Sequence, residues 1–255
     1  MLHKPYLTVI IICKNEVAVL PKTIQAALQV TPNIIVVDTG STDGTIALLN
    51  TLPVRVIATI WQGYGPTKNI GIQASTTPWV LCIDADEVID ETLKKNIQKI
   101  DYGNATLVYA FKYINYVGNQ ALHYGEWRSD WHVRLFNTQV TSWSNEVVHE
   151  TLVHALPTTE VRLLGYIHHY TSASLAARKL KLNLYATLHA QQKVNKSNLY
   201  LGVKKRLSSV VNFVTNYFLK GGFLDGLLGL QLAVASAVYT YNKYAFAQRL
   251  KKQIK

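Results

Sequence analysis

Charge is scarce in this 255-residue chain: charged residues of every kind make up 16%, and beyond Ala177 one acidic side chain, Asp225, remains. So little charge beside 49% hydrophobic residues excludes an intrinsically disordered chain. It also predicts that some apolar surface meets a membrane or a partner. Cysteine is nearly absent. Cys13 and Cys82 both lie inside apolar runs, which excludes a disulfide framework or a thiolate metal site and reads them as small buried hydrophobes in a reducing, cytoplasmic setting. The N-terminal stretch lacks the order of a secretion signal, because the apolar run Thr8–Cys13 is short and ends in Lys14-Asn15-Glu16. Nor does any apolar run reach the roughly 20 residues that cross a bilayer. The most apolar piece, 227–238, is 12 residues long and contains Gln231. With no internal repeat or low-complexity linker, the expected organisation is one large α/β domain, or a domain of about 150 to 200 residues with an appendage.

What charge there is divides unevenly. Residues 178–255 hold 14 of the 26 Lys and Arg against one of the 15 acids, a balance of +13, while residues 1–177 come to −2. A basic tail that is also rich in Leu, Val, Phe and Tyr points to an anionic membrane surface rather than to nucleic acid, for which no motif is present. Leu180, Leu184 and Leu188 recur at helical spacing among Arg178, Lys179 and Lys181; Leu207, Val210, Val211, Val214 and Phe218 do so behind Lys204-Lys205-Arg206. These stripes predict basic amphipathic helices lying in the membrane interface, with Tyr239, Tyr241 and Tyr244 at headgroup depth. A helical subdomain packed on the sheet, or on a second copy, fits the same stripes.

The front of the chain alternates differently. Thr8–Cys13, residues 33–37, residues 54–57 and Trp79–Ile83 are β-branched or apolar runs suited to strands covered on both faces. Helical periodicity follows the first, through Leu20, Ile24, Ala27 and Leu28 with Pro21 in the first turn, and again after residues 38–45, where Ser41 or Asp43 can cap the start. Asp90 can cap a further helix whose apolar face is Leu93, Ile97 and Ile100. Strand and helix in alternation predict an open, mainly parallel sheet with ligands beyond the strands' C-terminal ends. Asn15-Glu16, Asp38 and Asp84-Asp86 all arrive there. A strand is expected over 107–116, and the aromatic-rich 124–143 has no assigned form.

The stretch Asp84-Ala85-Asp86-Glu87 places three carboxylates within four residues after a buried strand. Asp84 and Asp86, one residue apart, fall on one side if the strand continues, where they can share a divalent cation or divide metal and sugar-hydroxyl binding. Oxygen ligation without thiolate favours Mg²⁺ or Mn²⁺ completing its shell with phosphate. A solvated turn or helix cap would look the same.

Taken together, "TVIIICKNE" (8–16), "IIVVDTGSTDGT" (34–45), "WQGYGPTKNIGIQAS" (61–75), "WVLCIDADE" (79–87) and "VVHE" (147–150) resemble the family 2 glycosyltransferases, whose Rossmann-like nucleotide-sugar fold is called GT-A. More narrowly, "GPTKN", "DADE", "VHE", "HY" at 169–170 and "LKGGFLDGLLGL" at 219–230 resemble bacterial transferases that add β-1,4-glucose to the inner-core heptose of lipopolysaccharide. The resemblance implies a GT-A domain over 1–175, with helices on both faces of its sheet, and a helical, basic, membrane-associating region over 176–255. It further implies that Asp38 reads uracil, Asn15 and Glu16 line the nucleoside pocket, Lys68 meets the nucleotide and Asp84 holds ribose or sugar hydroxyls. Asp86 and His169, or His168 in its place, would hold a divalent metal. The base would be Glu150, with Glu146 as the alternative, and His149 would orient it or touch the acceptor. Glu126 and Asp130 are further acceptor candidates, and Trp127, Trp131 and Trp143 suit sugar stacking or core packing equally.

The implied activity is inverting transfer of a hexose from a UDP-hexose donor to a lipid-linked oligosaccharide acceptor, at the cytoplasmic face of the bacterial inner membrane. Transfer to polyprenyl phosphate, or non-catalytic nucleotide-sugar binding, are the competing readings.

Overall fold

A computed structural model of the chain describes residues 6–146 and 150–253. They divide into two compact units, one of residues up to Tyr113 and from Asp130 to His169, the other of Ile114–Ser129 and from Tyr170 onward.

In the first unit the elements run β1 (Leu7–Cys13), α1 (Leu20–Leu28), β2 (Ile34–Asp38), α2 (Thr45–Leu49), β3 (Arg55–Ala58), α3 (Tyr64–Ala74), β4 (Trp79–Asp84), β5 (Glu87–Ile89), α4 (Glu91–Gln98) and β6 (Leu107–Val117). β7 (Gln120–Leu122) belongs, with the end of β6, to the second unit; β8 (Trp131–Asn137), β9 (Thr141–Trp143), β10 (Leu152–His154) and β11 (Thr159–Ser172), whose last residues also belong to the second unit, follow. The main sheet has the order β3-β2-β1-β4-β8-β6-β11-β5. Its first four strands are parallel, and β8 then pairs antiparallel with both β4 and β6. This is the open α/β sheet expected from the alternation of strand and helix, extended by antiparallel strands.

Why β1 is apolar throughout is visible in its two faces. Leu7, Val9, Ile11 and Cys13 pack with Leu20 and Ile24 of α1 and Leu93 and Ile97 of α4, whereas Ile10 and Ile12 pack on the opposite side with Ile70 and Ile72 of α3 and with Phe136. A strand covered twice has no solvent side for polar residues, and each such side chain contributes about 1.5–3 kcal/mol by burial. Burial also settles the cysteines: both are free, and loss of hydration pushes the Cys13 thiol up to about 12 and the Cys82 thiol to about 11. The parallel register aligns Cys13 with Asp38 and Ile12 with Asp84, so the acids that end β2 and β4 come out at one edge. Pro21 opens α1, and Asp90 caps α4 by accepting the Leu93 N–H at 2.6 Å, as their positions predict. At α2 the cap differs from expectation: Gly44 occupies the position, and Asp43 instead turns the chain just ahead of it by accepting the Thr45 N–H at 3.0 Å.

The second unit is mainly helical: α5 (Leu175–Gln191), α6 (Asn198–Val214), a π-helical turn Thr215–Leu219, a 3₁₀ turn Gly222–Asp225 and α7 (Gly226–Gln253). Ser174 and Ser197 cap α5 and α6 by accepting the N–H groups of Ala177 and Tyr200, each contributing about 1 kcal/mol. Both other helices pack on α7, whose buried residues include Leu232, Ala233, Ser236, Thr240, Tyr244 and Ala247. The apolar piece read as 12 residues proves to be part of a 32-residue helical stretch from Gly222, long and apolar enough by composition to cross a membrane; the alanines and tyrosines after Val238 extend it. A third of its most apolar window is buried against protein.

Close approach of α3 to the sheet depends on Gly71, where a Cβ would stand 2.4 Å from Ile10 Cγ2 and 3.2 Å from Val37 Cγ2. Gly71→Ala is expected to destabilise the fold by about 1–3 kcal/mol through overpacking, read as a lower urea midpoint at unchanged slope.

Candidate functional site

The loops after β1 and β2 are stitched together before any ligand is considered. Asn15 adopts a left-handed conformation (φ 56°), its N–H donates to Ser41 Oγ at 2.8 Å, and its Oδ1 accepts the Thr42 N–H at 2.7 Å. The Glu16 N–H donates to Thr45 Oγ1 at 3.1 Å. Asp38 is buried, with Oδ1 accepting the N–H groups of Gly40 and Ser41 at 2.9 Å each and Oδ2 accepting the Ser41 hydroxyl at 2.5 Å. Four lone-pair sites on the carboxylate thus hold three donors from its own turn.

Lys68, on α3, is 1% exposed. Its ammonium lies 3.4 Å from Asp84 Oδ1 and 3.4 Å from Glu150 Oε1, and 4.7 Å from the centre of the Trp143 ring. An ammonium is stable at such a depth only because two carboxylates and an aromatic face replace water. The neighbouring Asn69 fixes β9 to α3 from both sides: its Nδ2 donates to Trp143 O at 2.8 Å and its Oδ1 accepts the Trp143 N–H at 3.2 Å. Gly65 admits the chain that follows, since a Cβ there would meet Ser144 O at 2.2 Å.

The crowded acids after β4 take separate roles. Glu87 is buried and turned inward, where Oε2 accepts the Asp84 N–H at 3.0 Å and the Tyr113 hydroxyl at 3.1 Å, and Oε1 lies 3.5 Å from Arg134 Nη2. The Arg134 Nε–H in turn donates to the Tyr113 hydroxyl at 2.7 Å. Asp86 Oδ2 lies 3.5 Å from His169 Nε2, because β11 pairs His169 with Glu87 across the ladder. His168, next along, faces the side lined by Lys22 and Lys94, and burial holds its pKa down.

Electrostatics separates the carboxyls. Burial pushes Glu87 up, helped by the Asp84 charge, and Arg134 and His169 only partly oppose it. Burial acts on Asp84 in the same sense, but Lys68, Arg134 and His169 outweigh it and hold Asp84 below the usual range. His169 is disfavoured as a cation by burial, yet its hydrogen bond to Asp86 and the surrounding carboxylates raise it overall. Asp84 Oδ1 is buried without a hydrogen bond of its own.

The expected site residues therefore fall into three groups. Asp84 and Glu150 both contact Lys68, and Asp86 contacts His169 separately; Asn15, Glu16 and Asp38 belong to the loops at the same sheet edge; Glu146 is exposed. His149 lies outside the described residues. Of the acceptor candidates, Asp130 pairs with His132 at 2.6 Å, and Glu126, in the second unit, pairs with Arg178 at 2.7 Å. Arg134, Tyr113 and Asn69 were not singled out from the sequence. Arg134 had a signal, as the one charge in the apolar run 133–136.

Among the described residues no group of three or more His, Cys, Asp or Glu is arranged to hold a metal. Asp86 offers a hard carboxylate oxygen and His169 a borderline imidazole nitrogen 3.5 Å apart, two donors to an ion that would take the rest of its shell from diphosphate oxygens and water.

The family model described as "Glycosyl transferase family 2" matches residues 8–156. Lipopolysaccharide core biosynthesis glycosyltransferase LpsC of Rhizobium meliloti (strain 1021) is 29% identical over 98% of this chain and 97% of its own length. An uncharacterized glycosyltransferase of Rickettsia typhi is 26% identical over 95% of this chain and 85% of its own. Among solved structures, residues 1–349 of S. aureus TarS in complex with UDP-GlcNAc align over 97% of this chain and 91% of that one, with TM-score 0.47 and 14% identity.

Removing Arg134 would leave the buried Glu87 carboxyl without its guanidinium. Arg134→Met is expected to cost about 3–5 kcal/mol in urea unfolding, with part of the loss recovered when Glu87→Gln is added.

Proposed function

The chain belongs to glycosyl transferase family 2 and is a glycosyltransferase; from that premise we propose that it moves a hexose, glucose in our reading, from a UDP-sugar to a lipid-linked acceptor, the inner-core heptose of lipopolysaccharide, with inversion. One observation carries the reading: the buried Lys68 ammonium is 3.4 Å from both the Asp84 and the Glu150 carboxylate. A cation that will meet a diphosphate thus stands between a group suited to sugar hydroxyls and a group suited to take a proton. The name of the Rhizobium meliloti relative supports the acceptor class.

In this reading the nucleoside enters over the β1 and β2 loops. The remaining lone-pair site of Asp38 receives the uracil N–H, and Asn15 and Glu16 border the ring. Asp84 accepts from ribose or hexose hydroxyls. Asp86 and His169 hold Mg²⁺ or Mn²⁺, which when bound neutralises charge on the diphosphate. Lys68 does the same from the α3 side. Glu150 takes the proton of the acceptor hydroxyl as its oxygen attacks the anomeric carbon opposite the diphosphate; the new carbon–oxygen bond forms as the bond to UDP breaks. From an α-linked donor the product is β-linked, with no covalent enzyme intermediate. Glu150 is preferred over Glu146 because it contacts Lys68, whereas Glu146 is exposed. The acid-poor helical region is assigned to an anionic membrane surface, at the cytoplasmic face of the bacterial inner membrane.

Glu150→Gln is expected to lower transfer from UDP-glucose by about 10²–10⁴ with UDP binding retained, and Glu146→Gln by less than about threefold. Asp86→Ala is expected to abolish metal-stimulated turnover. Undiminished transfer by Glu150→Gln would instead favour an acceptor that is already ionised, such as polyprenyl phosphate. Mass spectrometry of the lipopolysaccharide core from cells with and without the protein tests the acceptor directly.

A further inference from the structure

The outward face of α6 has the wrong polarity for water. Leu199, Val203, Leu207, Val210, Val214 and then Phe218 recur every three or four residues and are all exposed, while Leu201 is the one α6 residue that is fully buried. At the end of the helix the inversion sharpens. The π-helical turn buries the amide side chain of Asn216 (7% exposed) and turns Phe218 and Leu219 outward, at 56% and 70%. In the following turn Gly222 is buried, and Phe223, Leu224 and, at the start of α7, Leu227 face out.

This apolar tip is built rather than loose. The rings of Phe213, Tyr217, Phe218 and Phe223 form a contiguous cluster with centroids 5.0–6.2 Å apart. Asp225 ties the turn down by accepting the N–H groups of His123 and Tyr124 at 3.2 and 3.0 Å. A Cβ on Gly222 would meet Asn216 O at 2.6 Å, and one on Gly229 would meet Gly222 O at 1.9 Å, so backbone packs directly on backbone. Within "LKGGFLDGLLGL", then, Gly222, Asp225 and Gly229 shape the turn, Leu228 packs with Leu122 and Leu232, and Leu219, Phe223, Leu224 and Leu227 are left facing out.

An exposed apolar surface of this extent marks a protein or membrane contact. Charge decides between them. Lys204, Lys205, Arg206 and Lys220 accompany the stripe, and residues 178–255 carry +13 with a single acid, which repels a second copy of the same face and matches anionic lipid. One side of α7 is already occupied by α5 and α6, so the helix long enough to cross is packed within its unit.

We propose that the outer stripe of α6 and the 218–227 turn form one insertion surface for an anionic bilayer, α6 lying in the interface, the turn reaching below the headgroups, and α7 remaining uncrossed. This rests on, and localises, the membrane part of the reading above. The test uses the full chain with phosphatidylglycerol/phosphatidylethanolamine vesicles and with phosphatidylcholine vesicles. Wild type floats with the first and weakly with the second. Phe223→Ser/Leu224→Ser lowers the partition coefficient about tenfold or more, with melting temperature and UDP-glucose hydrolysis unchanged. A bimane on Leu224→Cys, labelled selectively because Cys13 and Cys82 are buried, is quenched by nitroxide lipids carrying the label below the headgroup. Equal flotation of the double variant and wild type overturns the insertion surface while leaving membrane docking intact; failure of wild type to bind either vesicle overturns both. A dimer-to-monomer change in the variant at unchanged partition assigns the face to a second copy and likewise overturns the proposal. None of these outcomes bears on Glu150, whose test stands separately.

Discussion

Two buried cations set against four carboxylates are the constraint on which the first unit's working edge depends. Lys68 and Arg134 approach the Asp84–Glu87 stretch from opposite elements, α3 and β8, and neither is meaningfully hydrated. Without them the acids at the end of β4 would repel one another in a medium that screens poorly. With them, Glu87 becomes an internal strut for the Asp84 backbone, while Asp84 and Glu150 are held beside the Lys68 ammonium. The arrangement costs desolvation of several ions at once, which their mutual pairing must offset.

The sheet supplies the rest by register. Parallel pairing brings the ends of β1, β2 and β4 to one level, and the antiparallel pairing of β11 with β5 sets His169 beside the residue that follows Asp86 in the chain. Distances in sequence of more than eighty residues collapse to 3.5 Å or less as a result. No loop has to be long to achieve this, because each donor sits within a few residues of a strand or helix end.

Much of that was legible beforehand. The runs at 8–13, 34–37 and 79–83 identify strands covered on both faces, since such strands have no solvent side, and the acids following them arrive at one edge of the sheet. What stayed hidden were pairings. Nothing in the local pattern says that Lys68 will meet Glu150, or that Tyr113 and Arg134 will lie behind Asp84, because those contacts arise from strand order rather than from neighbours in the chain. Residues 124–143 had no clear period because they hold a single 3₁₀ turn and two strands, one of only three residues. Counting apolar residues in an unbroken run also understated α7, whose alanines and tyrosines continue the helix without raising its hydropathy much.

Asn69 gives the first unit one more property. Because its amide grips both the carbonyl and the N–H of Trp143, α3 and β9 are yoked at a single point. Any tilt of α3 must therefore drag β9 along with it, so the Lys68 ammonium and the Trp143 ring beside it keep their spacing.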